Sequence, residues 1–333
     1  MILLPHQFIG EFLNQRFDKD VRRNYFRGME FAAPVGDPGW FGPGSAVWHV
    51  HSHMQALIFG LQCAAFMERL DPSIYWMGMH HSRLVKRDPK TGAGVPEIDP
   101  KGAAVRLGHS IAFFIGTAYG STETAERLAK AVRSMHHTIK GTRPDGARYD
   151  ADDPDWLRWN YATVVWGLAT AHELYHPNPL RGKKIDRYYR EFVRVGHALG
   201  GTDLPETKSE VADCLESYLP RLAVTHGTAV ATGPELPLAQ SAINWAIRDT
   251  MPRWGKQLIQ HKDPNILERT TRRATVWSVI NGLHLVQGPI PEFQQAQARV
   301  ASGTDVPHTL PTYRLGDDDV LSREEVERSF AEA

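Results

Sequence analysis

Residues 101–141 read KGAAVRLGHSIAFFIGTAYGSTETAERLAKAVRSMHHTIKG. Lys101 to Ala118 contains no proline, and Val105, Ile111, Phe114 and Ile115 give it an apolar face. Tyr119-Gly120-Ser121 interrupts that pattern, with Gly120 suited to the position after a helix and Ser121 to capping the next one. A second helix is expected from Thr122 to Ile139, stopped at Gly141. The stretch is therefore an αα-hairpin. Its turn lies midway between His109 and His136, so the two imidazoles stand at about the same height on neighbouring antiparallel helices. Such a pair can hold a planar iron porphyrin if the helices splay, although a pair of ordinary buried histidines fits the spacing as well.

Outward from the hairpin the helical signals continue. Gly44 or Ser45 is expected to start a helix that runs to Leu70 and is ended by Asp71-Pro72. Asp153-Pro154 starts another, uncharged from Tyr161 to Ala171 and so buried on most sides. Further helices are expected at 185–199, 208–218 and 237–250, and one from Asp263-Pro264 to about Leu285. Alternating β-branched runs are scarce and no internal repeat is visible. The fold class is all-α, a single helical domain over 41–300, with an N-terminal helical extension at 1–40 and a peripheral tail at 301–333.

Composition narrows the function. The chain has 333 residues, 42% of them hydrophobic, with 38 Lys and Arg against 38 Asp and Glu. Zero net charge leaves no basic field for nucleic acid. Cys63 and Cys214 are too few for a disulfide framework or a thiolate zinc site, which fits a reducing, cytoplasmic setting. The N-terminus has no signal-peptide pattern, and the apolar run Met54–Met67 is shorter than the roughly 20 residues of a transmembrane helix. Sixteen histidines are the unusual feature, since imidazole is a common metal ligand and acid–base group.

Several histidine groups compete. His49, His51 and His53 would share one face of a strand, as in a metal hydrolase, but on a helix only His49 and His53 stay together. A surface or helix-start cluster is the simpler reading there. His80-His81-Ser82 is read as a structural loop after a turn-rich piece. His172 and His176 are spaced i, i+4 but miss the His-Glu-x-x-His zinc pattern by one position, so a helix C-terminus favouring cationic histidine accounts for them.

The hairpin motifs add a resemblance. Arg106-Leu-Gly-His109-Ser110, Tyr119-Gly120-Ser121 and Arg133-Ser-Met-His136-His137-Thr-Ile139-Lys140-Gly141 resemble the oxygenase family of the latex-clearing proteins (rubber oxygenases) and MpaB. Ala64–Pro72, Tyr149–Pro154 and Leu157–Thr163 resemble further segments of that family, so the likeness covers roughly residues 40–290. It implies a globin-like helical core, heme b (iron) as cofactor, and O2 with an apolar small molecule as substrates, including oxidative cleavage of a C=C bond. It implies His136 as the proximal ligand, with Arg133, Lys140, Tyr161 and Thr163 around the cofactor. Arg106, His109 and Ser110 then form the distal, catalytic group, with His109 a second candidate ligand to iron. His109 and Ser110 stand where rubber oxygenases carry Lys and Thr, Lys140 replaces an Arg, and Tyr161 a His. Two other classes stay open from the residues alone: a bis-histidine heme protein without turnover, and a His-rich metal hydrolase around His51.

Overall fold

The computed structural model describes residues 14–225 and 238–301; the tail at 302–333 and the first thirteen residues lie outside the described residues. Among the described residues the chain is helical, with two small β-hairpins. A π-helical turn α1 (Asp18–Arg22) continues into α2 (Arg23–Tyr25), followed by α3 (Ala46–His51), α4 (Met54–Glu68) and α5 (Pro72–His81). Strands β1 (Val85–Arg87) and β2 (Gly94–Ile98) precede the long hairpin of α6 (Pro100–Tyr119) and α7 (Thr122–His137). Strands β3 (Lys140–Thr142) and β4 (Arg148–Asp150) lead into α8 (Pro154–Tyr175), α9 (Lys183–Ala198), α10 (Lys208–Ser217) and the single turn α11 (Leu219–Arg221). The chain then forms α12 (Leu238–Thr250), α13 (Arg253–Leu258), α14 (Ile266–Gln287) and α15 (Pro291–Ala301). No helix among the described residues is long and apolar enough to cross a membrane.

The helix starts follow the local chemistry of the sequence. Asp99 caps α6 by accepting from the Lys101 amide, Ser121 caps α7 through the Thr124 amide, and Asp153 caps α8 through those of Asp155 and Trp156. Each side-chain oxygen satisfies an amide that the first turn leaves without a partner.

Four expectations need correction. The helix expected from 44–45 to Leu70 is two helices, because His53 leaves helical geometry and its ring Nδ1 accepts from the Ala56 amide, capping α4. Asp71-Pro72 both ends that run and starts α5, so His80 and His81 lie on a helix rather than in a loop. Helix α7 stops at His137, not Ile139, because Lys140–Thr142 pair with Arg148–Asp150 as antiparallel strands. Helix α14 starts from Asn265, which forms a reciprocal capping box with Glu268, rather than from Asp263-Pro264.

At the centre, α4 and α8 cross with almost no side chain between them. A Cβ added to Gly60 would lie 2.9 Å from the Gly167 carbonyl oxygen, and one added to Gly167 would lie 2.5 Å from the Gly60 carbonyl oxygen. Ala64 and Ala171 continue the small-residue seam on either side. The helices are antiparallel: the start of α4 meets the end of α8 through Phe59 and Tyr175, and Glu68 at the far end meets Asn160. Around this pair, Trp48 donates to the Ala118 carbonyl and Tyr119 donates back to the Trp48 carbonyl, each at 2.8 Å, which fixes α3 to the hairpin. At the periphery the buried guanidinium of Arg299 in α15 donates to the carbonyls of Phe31, Asp37 and Gly120.

The crossing makes a paired prediction. Gly167→Ala forces backbone apart at the crossing and is expected to cost about 1–3 kcal/mol. Gly78 also lies on a helix but meets nothing within 4 Å, so Gly78→Ala is expected to be neutral or to stabilise by up to about 1 kcal/mol. Urea unfolding of both variants checks this, and equal stabilities would show the crossing to be looser than described.

Candidate functional site

The end of α7 carries His136 into the interior. Its Nδ1 is enclosed and finds no hydrogen-bond partner, and the edge of Trp156 lies against the ring at a centroid distance of 5.4 Å. The indole Nε1 of Trp156 is likewise buried without a partner. Burial, then the positive charge of Arg106, lowers the His136 pKa to about 4, so the ring is neutral. Its neighbour His137 turns the other way and pairs with Asp152 at 2.7 Å. Backbone bonds from Ile139 to the His136 carbonyl and from Ala151 to the Ile139 carbonyl, both 2.9 Å, clasp the helix end onto the β3–β4 hairpin. There Tyr149 covers Gly141, and its hydroxyl meets His80 Nδ1 at 2.6 Å and His81 Nε2 at 3.1 Å.

The other expected residues fall into separate groups. Arg106 and His109 lie on α6, and the charge of Arg106 acts on His109, His136 and Glu68 alike, which makes it their common neighbour. His109 stands edge-on to Tyr25 at 4.8 Å, and burial, helped by Arg106 and Arg83, lowers its pKa. The Ser110 hydroxyl donates to the Arg106 carbonyl at 3.1 Å, one turn back along the helix. Arg133 sits beside Gly200, where an added Cβ would be 3.6 Å from its Nε. Lys140 lies beyond the end of α7 and off its face; it opens β3 and pairs with Asp150 at 3.0 Å. Tyr161 is buried against α9, stacked on Phe192 and donating to the Tyr189 carbonyl.

Thr163 leads to a residue that the sequence reading does not single out. Its hydroxyl donates to the Asn160 carbonyl at 2.8 Å and reaches Glu68 Oε1 at 3.4 Å, where the Asn160 amide also donates at 2.8 Å. Burial raises the Glu68 pKa to about 7 against the opposing charges of Arg106 and Arg69. A carboxyl that titrates near neutrality beside Arg106 is the kind of group that accepts or returns a proton. The available signal was a glutamate closing an otherwise uncharged apolar run.

A second group forms at the opposite end of α4 and α8. His49, His172 and His176 bring one ring nitrogen each to within 4.8 Å of the others. Beside them His53 stacks on His284 at 3.9 Å. His51 is not part of this group, because it bonds Phe114 and Tyr188 in the apolar core; the strand-like trio around it does not form. Nor are these rings a surface cluster or cationic helix-end residues. His53 and His172 are buried, and burial, then neighbouring imidazoles, lowers the pKa of His172 to about 2 and that of His176 to about 4.

Residues 48–280 match the family described as "ER-bound oxygenase mpaB/B'/Rubber oxygenase, catalytic domain". No curated protein and no solved structure matches the chain. The matched segment takes in the α6–α7 hairpin, the α4–α8 pair and both histidine groups, and it spans well over half of the sequence. The chain therefore belongs to the mpaB and rubber oxygenase family, and residues 48–280 are its oxygenase catalytic domain.

Proposed function

We propose that this oxygenase depends on heme b, held by His136, and acts with O2 on an apolar small molecule. The observation that carries the reading is the buried, neutral imidazole of His136 with an enclosed nitrogen that has no hydrogen-bond partner. A native protein rarely leaves such an atom unsatisfied, and a neutral imidazole is the form that binds iron. Heme b, when bound, supplies the iron that activates O2.

The chain's own residues take the remaining tasks. Arg106 supplies fixed positive charge between His136 and Glu68, where it opposes the build-up of further cationic charge and favours anionic oxygen. His109 shares that field and would offer its imidazole to bound oxygen were heme held by His136, while Ser110 supports the Arg106 turn of the helix through its carbonyl bond. Asn160 and Thr163 orient Glu68, so Thr163 acts on the site through the carboxyl group. Of the two basic residues flanking His136 in sequence, Lys140 pairs with Asp150 outside α7, and Arg133, one turn before His136 on the same helix, is assigned to a propionate. Tyr161 serves as packing between α8 and α9. An alkene is the substrate class to test first, because the oxidative cleavage of C=C bonds is the reaction that the resemblance implies.

Two measurements test this reading. His136→Ala is expected to purify with little heme, whereas His137→Ala retains it, since His137 is bound to Asp152. His109→Ala should keep its heme but change its absorption spectrum and lose most O2-dependent turnover. Wild-type protein that takes up no heme on reconstitution, or a His136→Ala variant with an unchanged Soret band, would falsify the assignment.

Glu68 gives a pH signature. The folded chain holds its proton up to about pH 7, whereas an unfolded glutamate releases it near 4.5. The native state then binds more protons between those values, and this contribution to stability is lost as pH rises through the window. Glu68→Gln removes the effect, so its stability relative to wild type should rise by on the order of 3 kcal/mol from about pH 4.5 to 7. A stability gap that does not change with pH would mean that Glu68 stays ionised against Arg106.

A further inference from the structure

We infer that His49, His172 and His176 form a second metal centre, distinct from the His136 site, that takes a divalent first-row transition ion of the zinc class. His172 and His176 are one turn apart at the end of α8, and His49 reaches them from α3. Ring centroids are 5.3 Å apart for His49 and His172, and 4.5 Å for each of the other two pairs. Donor nitrogens already within 4.8 Å of one another need close only to about 3.3 Å to share an ion with bonds of about 2.0–2.1 Å. Small ring rotations cover that difference.

A second observation points to a ligand independently. His172 is 1% exposed, and its Nδ1 is enclosed without a hydrogen-bond partner. The turn after α8 accounts for the opposite ring nitrogens. The Leu180 amide donates to His172 Nε2 at 2.8 Å, the Asn178 amide donates to His176 Nδ1 at 3.0 Å, and His49 Nε2 meets the Asn178 carbonyl at 2.8 Å. Each ring thus meets the turn through one nitrogen: His172 and His176 accept there and carry their ring proton on the other nitrogen, whereas His49 donates and has its lone pair on Nδ1.

The donor set selects the ion. Three imidazoles without carboxylate or thiolate suit zinc, copper, nickel or ferrous iron, and do not suit magnesium or calcium, which require oxygen. His53 does not complete the set, because its nitrogens meet the Ala56 amide and the Asn281 side chain. The fourth position is left for water or a small anion, the arrangement of an open three-histidine site. A bound ion also moves the remaining ring proton of His172 to Nε2 and that of His176 to Nδ1, where each now meets an amide N–H. Loading must therefore turn the peptide groups of Leu180 and Asn178, so that carbonyls face those rings as the Asn178 carbonyl already faces His49.

The experiment uses the full chain, stripped with a chelator and then given Zn²⁺ or Co²⁺ alone. About one ion per chain should survive gel filtration, Co²⁺ should give the visible bands of a tetrahedral site, and amide exchange at Asn178 and Leu180 should change on loading. His172→Ala is expected to weaken metal binding by at least about tenfold. If that variant misfolds, the half-buried His49→Gln decides, with far-UV circular dichroism as the check on folding. Element analysis distinguishes zinc, copper, nickel and iron, and heme is measured separately by its Soret band. A chain without heme that binds Co²⁺ at these residues leaves this centre standing and overturns only the His136 reading. Stripped wild type that retains no ion, or a folded His49→Gln variant that binds as well as wild type, overturns the centre.

Discussion

Most of the molecule depends on the contact of Gly60 with Gly167. With no Cβ on either residue, α4 and α8 approach until backbone meets backbone, and their antiparallel register is fixed by that fit. The register in turn sets both ends of the pair. It brings Glu68 to Asn160 and Thr163 at one end, and His53 beside His176 at the other. A helix of 15 residues is about 22 Å long at about 1.5 Å per residue. The carboxyl site and the histidine group are therefore separated by roughly the length of α4, yet positioned by the same crossing. A side chain at the seam would shift both together.

Burial does chemical work at both ends. Before Glu68 at its end α4 carries no carboxylate, so the imidazoles enclosed near it lose hydration on ionising and find little there to offset the loss. His51, His53, His136 and His176 all have their pKa lowered to about 4, with burial as the first cause. The result is a set of neutral nitrogen donors in dry surroundings, which is what a metal or heme iron requires of its ligands. Arg106 is the exception that gives the α6–α7 site its polarity, since it adds a permanent charge where two imidazoles and a carboxyl converge.

Much of this was legible from residues alone where the cause is local. Ser121 and Asp153-Pro154 carry their caps in the adjacent side chains, so α7 and α8 start where the sequence says, and Asp99 starts α6 at Pro100, one residue before the expected Lys101. Adjacent positions on a helix point about 100° apart, so His136 and His137 cannot face one partner; the resemblance names His136, and the structure pairs His137 with Asp152. The break at Ser52–His53 carries no proline or glycine, and its cap is an imidazole, a residue with little capping preference. The end of α7 is decided by strand pairing with residues 148–150, and the meeting of His49 with His172 and His176 by the packing of α3 on α8. Neither relation is written in a window of ten or twenty residues. Glu68 was hidden differently: its partners lie on α8, and only the crossing shows that the charge is enclosed.

The guanidinium of Arg299 has a consequence for the order in which the protein is made. It holds the carbonyl of Gly120 at the α6–α7 turn, and those of Phe31 and Asp37 ahead of α3, but it follows Gly120 by 179 residues. At about 5–20 residues per second the ribosome needs on the order of 10–40 s to add that length. Throughout this interval the hairpin and the loop before α3 lack their common anchor, while helices α7 to α14 are being added. The outer turn of the α6–α7 hairpin therefore receives this anchor only after α14 has been made, so its Gly120 carbonyl must wait for a partner from the far end of the described chain.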